Sequence, residues 1–323
     1  MSRQIRKVLV IKLSALGDFV LALAAMRRIR EAHPKARISL LTTPPFEALA
    51  RACPYFDEVE TDGKPEGPGA WLALRGRLKA ARYDRVYDLQ TSSASERIFH
   101  LLRPFPPEWS GVAFGCALPH RTPGKDAMHT LERQADQLKS AGIWPDAPTT
   151  PLSAPPPDLS WIGRTARGRR RRPDRPYVML IPGGSAHRLD KRWPVENYGR
   201  LARRMHDRGF DILVIGGPQE SALGRAIQKH VPQARDLTGR TDFATVALFG
   251  ADAALVVGND TGPLHLAAAA GAPTVVLFSR TSDPALSAPR GHVIVVQADD
   301  LSTLDPSTVS RATDSLLPVE GSA

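Results

Sequence analysis

The feature that most constrains this chain is an alternation that runs twice. Short apolar, β-rich runs alternate with stretches of helical periodicity, first over residues 7–90 and again over 177–279. In the first series "KVLVIK" (7–12), "ARISLLTT" (36–43), "DEVETDG" (57–63) and "YDRVYDLQ" (83–90) read as strands. Helices are expected from about Phe19 to Ala32, with Leu21, Ala25, Met26, Arg28 and Ile29 on the inner face, in "PPFEALARAC", and over 71–82. In the second series "YVMLIPGG", "FDILVIGGP", "AALVVGND" and "PTVVLFS" are the strands. "PVENYGRLARRMHDRG", "QESALGRAIQKHV" and the stretch beginning at Gly262 are the helices. Short strands separated by helices argue for an α/β fold with parallel sheets and crossover connections.

The series are joined by "APTTPLSAPPP" (147–157) and "RTARGRRRRPDR" (164–175). A Pro-rich stretch of this kind is expected to act as a linker and not to pack. The reading is an N-terminal Rossmann-like domain (1–146), a Pro/Arg-rich linker (147–176), a C-terminal Rossmann-like domain (177–300) and a partly helical tail (301–323). Two such domains imply a cleft, and ligands of open α/β sheets bind beyond the carboxyl ends of strands.

Charge matters here because it is concentrated. The chain carries a net +10, and residues 164–175 alone hold seven arginines against one aspartate. A solvated basic linker is the first reading. A contact with anionic lipid head groups at the inner-membrane surface is the second. Nucleic acid comes last, since no binding motif or aromatic interleaving accompanies the arginines. Cys53 and Cys116 form no CxxC pair, so structural zinc and a disulfide framework are not expected. Lys12 and Asp18 interrupt the apolar N-terminal run where a signal peptide needs continuity, and no run approaches the roughly 18 residues of a membrane span. A cytoplasmic protein is expected.

Three strand-end loops carry polar chemistry. "KLSALGDF" (12–19) stands where a dinucleotide-binding chain would carry GxGxxG, but Gly17 is its one glycine, which disfavours NAD chemistry. Asp18 reads either as an N-cap or as a carboxylate placed to accept a proton. In "PGGSAHRLDKRWP" (182–194), Gly183 and Gly184 permit close backbone approach, Ser185 offers a hydroxyl, and Lys191 and Arg192 bring positive charge. That set suits a diphosphate, or else a plain turn with a solvated lysine. In "GNDTGPLHLAAAAGAP" (258–273), Asp260 or Thr261 can cap a helix whose first turn holds Pro263, and Gly262 allows a close turn. Its free N–H groups form an anion site, with His265 about one turn in; the alternative is a capped structural helix. Asp-x-Asp, HExxH, GxSxG and GxxxxGK[ST] are absent.

Taken in order, "VLVIKLSALGDFVLALAAMRRIREAHP", "YDRVYDLQ", "HTLERQADQLKSAGI", "IPGGSAHRLDKRWP" and "GNDTGPLHLAAAAGAPTVVLF" resemble the bacterial ADP-heptose:lipopolysaccharide heptosyltransferases of glycosyltransferase family 9. The resemblance implies the GT-B fold, two Rossmann-like parallel-sheet domains facing across a cleft. It implies an inverting, metal-independent transfer of heptose from an ADP-sugar to a lipopolysaccharide inner-core acceptor, with no cofactor beyond the donor substrate. Asp18 matches the family's base in S-x-x-G-D. Lys191 matches the phosphate-contacting lysine of K-x-W-P, a leaving-group role. Asp260, Thr261, Gly262 and His265 match its D-[ST]-G-x-x-H donor segment. Gly183, Gly184, Ser185 and, at the ribose, Glu220 complete the donor side; Lys12, Ser14 and Gln90 are the acceptor contacts. The expected partners are a nucleotide sugar and a glycan acceptor, with peripheral contact to the cytoplasmic face of the inner membrane and no nucleic acid.

Two departures stand out. Thr91 follows "DLQ" where the family usually has glycine, and Ser279-Arg280-Thr281 replaces Gly-Pro-Thr after "VVLF". They keep open a different nucleotide sugar or a polysaccharide or protein acceptor; a non-catalytic protein that binds a nucleotide sugar is a separate alternative, against which Asp18, Lys191 and Asp260 count.

Overall fold

A computed structural model describes residues 4–162, 173–184 and 191–317. The chain forms two units, Met1–Pro157 and Asp158–Ala323. The first contains β1 (Lys7–Ile11), α1 (Leu16–Ala32), β2 (Arg37–Leu41), α2 (Glu47–Ala52), β3 (Glu58–Glu60), α3 (Gly67–Ala81), β4 (Arg85–Asp88), α4 (Ser93–Leu101), β5 (Glu108–Gly111), β6 (Leu118–Pro119) and α5 (Thr130–Ser140). Its strands pair in parallel in the order β3-β2-β1-β4-β5-β6. Val8, Leu9, Val10 and Ile11 are fully buried, as a central strand covered on both faces requires.

The second unit contains β7 (Tyr177–Ile181), α6 (Val195–Asp207), β8 (Asp211–Val214), α7 (Ser221–His230), β9 (Arg235–Asp236), α8 (Phe243–Asp252), β10 (Leu255–Asn259), α9 (Gly262–Ala269), β11 (Thr274–Ser279), α10 (Pro284–Ser287), β12 (Val293–Ala298) and α11 (Pro306–Leu316). The order is β9-β8-β7-β10-β11-β12, again all parallel. The two units therefore share one topology. In each, the strand order reverses between the first and fourth strands, and a crevice opens there at the carboxyl ends.

Several expectations change. Helix α1 starts at Leu16, three residues earlier than expected, because buried Leu16, Phe19 and Val20 carry its apolar surface back to the loop. Asp18 is therefore the third helical residue, not the N-cap. It accepts the Ala15 N–H at 3.3 Å, a bond back to the N-cap residue. The Pro-rich stretch packs in part: Ala154 is buried against Leu21 and Leu131, and its N–H donates to Glu132 Oε1 at 3.2 Å. Beyond it Leu159, Trp161 and Ile162 are buried too. Residues 301–317 are not a tail. Leu301, Leu304, Val309, Ala312 and Leu317 join the core made by α6 and the central strands. Most of the arginine cluster, 163–172, lies outside the described residues.

Candidate active-site loops

In the first unit the loop after β1 is held by the strand-order partner β4. Gln90 Oε1 accepts the N–H groups of Leu13 at 2.8 Å and Ser14 at 3.0 Å, bridging the crevice. Gln90 is itself positioned by Asp88, whose Oδ1 accepts the N–H of Gln90 at 3.0 Å and of Thr91 at 2.9 Å. On the other side Thr43 Oγ1 donates to Leu13 O at 3.0 Å, and Lys64 Nζ donates to Ser14 Oγ at 2.9 Å.

Two charges are buried beside this loop. Lys12 is 3% exposed, and burial brings its ammonium down to about 8; the Arg133 charge adds to the fall, while Asp18 and Asp88 oppose it. Burial also pushes the Asp88 carboxyl up to about 6, against the N–H groups of Thr91 and Gln90 and the charge of Lys12. A cation and a carboxylate with values drawn toward neutrality beside Asp18 make a site that can move or orient protons.

Next to it is a cavity of about 200 Å³ lined by Thr91, His120, Lys125, Arg133, Gln134 and Gln137, with Val112 and Asp126 at its wall. His120 Nε2 pairs with Asp136 at 2.7 Å. Burial holds the imidazole below its usual value, with Lys125 and Arg133 adding to the fall against Asp136. The Gln134 Oε1 atom is buried and has no hydrogen-bond partner among the described residues. This is a polar, mainly cationic recess.

In the second unit the loops after β7, β8 and β10 meet. Asn259, the last residue of β10, is fully buried. Its amide NH2 donates to the carbonyls of Pro182 at 2.9 Å and Gly183 at 3.0 Å. Its Oδ1 accepts the Trp193 N–H at 3.1 Å and the Tyr198 hydroxyl at 3.0 Å. The Glu220 carboxylate ties the β7 and β8 loops, accepting the N–H of Gly184 at 2.8 Å and of Gly217 at 2.7 Å. A Cβ at Gly183 would overlap that carboxylate, so any other residue there displaces the Glu220 brace.

The "PGG" loop and the α9 turn converge. A Cβ at Gly184 would lie 3.6 Å from Arg192 and 3.7 Å from Thr261 Cγ2. Arg192 Nη2 donates to Gly184 O at 2.6 Å, while Lys191 Nζ donates to Ser282 Oγ. Burial would raise the Asp260 carboxyl, but the His265 hydrogen bond and charge, with Ser282 and Lys191, hold it below the usual carboxylate range. His265 Nε2 lies 3.3 Å from Asp260 Oδ1. Thr261 is the N-cap of α9, yet its side chain makes no cap bond. Neither Asp260 nor Thr261 therefore caps the helix through its side chain as expected, since Asp260 is turned to His265. Thr261 Oγ1, His265 Nδ1 and Arg192 Nε are buried without partners among the described residues. Three polar atoms left unmatched around a glycine turn and a helix N-terminus fit an anion.

Residues 71–304 match the family model for glycosyltransferase family 9 (heptosyltransferase). The chain belongs to glycosyltransferase family 9. Among its relatives is lipopolysaccharide heptosyltransferase 2 of Escherichia coli strain K12, 27% identical over 303 residues, covering 88% of this chain and 86% of that protein. The Salmonella typhimurium protein of the same name is 26% identical, with the same coverages of 88% and 86%. The E. coli ADP-heptose lps heptosyltransferase II structure superposes with a TM-score of 0.78 at 23% identity, over 96% of this chain and 98% of that one. The family 9 glycosyl transferase from Veillonella parvula DSM 2008 does so at 0.77 and 19% identity, over 98% of both chains. These likenesses establish the GT-B fold.

In this family 9 glycosyltransferase the expected residues fall into two groups, one per unit. Lys12, Ser14, Asp18 and Gln90 gather at the ends of β1 and β4. Gly183, Gly184, Lys191, Glu220, Asp260, Thr261, Gly262 and His265 gather at the ends of β7, β8 and β10. Ser185 lies outside the described residues. Both Glu220 oxygens already accept backbone N–H groups, so the residue braces two loops before it meets any ligand. Sequence reasoning did not single out Lys64, Asp88, Arg133, Asn259 or Ser282. Asp88 and Asn259 carried a usable signal, each being a polar residue that closes an apolar strand. Lys64, Arg133 and Ser282 carried none, because only the folded chain brings them to the site. Among the described residues no three His, Cys, Asp or Glu side chains cluster as metal ligands.

Proposed function

We propose that the protein is an inverting glycosyltransferase moving a heptose from an ADP-sugar to the inner core of lipopolysaccharide, acting at the cytoplasmic face of the inner membrane. The observation that carries the reading is the convergence of Gly184, Arg192, Thr261 and His265 around unmatched polar atoms in a family 9 chain. Relatives named as lipopolysaccharide heptosyltransferases, and a solved structure described as heptosyltransferase WaaC with ADP, support the substrate classes.

The chemistry follows from the residues. Asp18 takes the proton of an acceptor hydroxyl as that oxygen attacks the anomeric carbon. The bond from that carbon to the diphosphate breaks on the opposite side, so configuration inverts and no covalent nucleophile is required. The diphosphate gains charge as it leaves, and Lys191 with the N–H groups of the Thr261–Gly262 turn stabilises it. Gly183, Gly184, Ser185 and His265 shape the donor seat, and Glu220 braces it. Lys12, Ser14 and Gln90 hold the acceptor side, where the cationic recess of Lys125 and Arg133 suits an acidic sugar.

The departure after β11 favours a second reading in which only the sugar differs. Ser282, directly after the Ser279-Arg280-Thr281 replacement, is the residue that engages Lys191. Incubation of the purified chain with ADP-, UDP- and GDP-linked sugars and an inner-core acceptor tests both. Transfer from ADP-heptose alone supports the first reading, and preference for another donor selects the second. Donor binding with no turnover across acceptors would overturn both in favour of a binding protein.

A further inference from the structure

Phe105 is 90% exposed and Phe114 81% exposed, more than any other large apolar side chain among the described residues. The two segments are tied together. Arg103 Nη2 donates to the Phe114 carbonyl at 3.0 Å, and its guanidinium lies 5.5 Å from the centre of the Phe99 ring on α4. Phe105 follows two residues later, within about 7 Å of Arg103 by chain length. Pro104, Pro106 and Pro107 restrict the backbone around it. Beneath these loops Phe99, Leu102, Trp109, Ala113 and Cys116 already form a closed core. The two rings thus face water although the interior has no need of them, and such patches mark contact surfaces.

Charge and position indicate what covers the patch. Arg103 and Arg121 are exposed beside it: Arg103 holds the Phe114 carbonyl, and Arg121 is close enough to act on Cys116, two residues beyond Phe114. Val112, 41% exposed, extends the apolar surface and also lines the cationic recess. Aromatic rings set among arginines match a bilayer interface with anionic head groups. A second copy seated on the same patch would set Arg103 and Arg121 against their own counterparts.

We propose that Phe105 and Phe114 form a membrane-docking surface, entering the interfacial layer of an anionic bilayer while Arg103 and Arg121 meet its head groups. The inference rests on the reading of a lipid-anchored acceptor. It places the recess mouth at Val112 next to the lipid surface from which such an acceptor projects.

The test is flotation of the full chain with vesicles of phosphatidylethanolamine and phosphatidylglycerol, or of phosphatidylcholine alone. The wild type is expected to bind the anionic vesicles and to release them as salt is raised. The F105S/F114S double variant is expected to lose at least tenfold in vesicle affinity, with an unchanged melting temperature. Its turnover of a soluble, delipidated core acceptor stays at the wild-type level, while transfer to acceptor embedded in vesicles falls. Equal vesicle binding by variant and wild type overturns the proposal and moves the contact elsewhere, as does failure of the wild type to bind. A wild-type dimer that the variant dissociates also overturns it, making the patch an interface between copies. Vesicle binding needs neither donor nor acceptor, so absent transfer alongside the expected binding pattern counts against the proposed function and leaves the docking surface standing.

Discussion

The side-chain amide of Asn259 donates to the carbonyl of Gly183 at 3.0 Å and thereby closes the crevice between β10 and β7. The same side chain satisfies Pro182, Trp193 and Tyr198, and no part of it reaches solvent. Asn259→Ala orphans an N–H, a hydroxyl and two carbonyls in a dry interior, at a cost of about 2–4 kcal/mol. Calorimetry should show the melting midpoint lowered by roughly 5–15 °C. A fall within error would mean the loops hold without it.

Asp18 bonds back to Ala15 at the start of α1, and asparagine keeps an oxygen for that bond while losing the basicity. Asp18→Asn is expected to melt like the wild type and to lose roughly 10²–10⁴-fold in kcat. Steady-state kinetics decide the matter, since a purely structural role predicts full turnover.

Gly183→Ala sets a methyl group against the Glu220 carboxylate and forces the brace out of place. Isothermal titration with ADP is expected to show affinity reduced at least about tenfold, or about 1.4 kcal/mol. Unchanged ADP affinity would place the nucleotide away from this turn.

Lys12 gives a pH signature. Burial lowers it from 10.5 to about 8, so the folded chain releases this proton before the unfolded chain does. Between those values the unfolded state binds more protons, and stability rises with pH. Relative to Lys12→Met, the wild type should gain on the order of 3 kcal/mol from pH 8 to pH 10.5. Urea unfolding across that range measures it, and a flat difference would refute the buried-cation account.

The strands nearest each crevice were legible because "VLVI", "YVMLI" and "ALVVG" are continuous apolar runs that only a doubly covered sheet accommodates. Other elements were not. In β5, "EWSG" offers no alternation, and α8, "FATVALFGAD", is buried around most of its surface and shows no polar face. The strand-end loops were legible through Gly183, Gly184, Lys191 and the Asp260–His265 segment, whose residue types suit an anion. The buried Lys12–Asp88 couple was not, since nothing local distinguishes a buried lysine from a solvated one. Ser282 reaches Lys191 only through the fold, across 91 residues of chain.

Gln90 in the first unit and Asn259 in the second do the same job at equivalent places, each lacing the first strand's outgoing loop to the fourth strand. Neither side chain gains or loses a proton in water. In the second unit the lace therefore holds while Asp260 changes charge beside it, whereas in the first Gln90 takes its seat from Asp88, the carboxyl that burial pushes up to about 6. Acidity thus reaches the two mouths by different routes: through the seat of the lace in one, and only through its neighbours in the other.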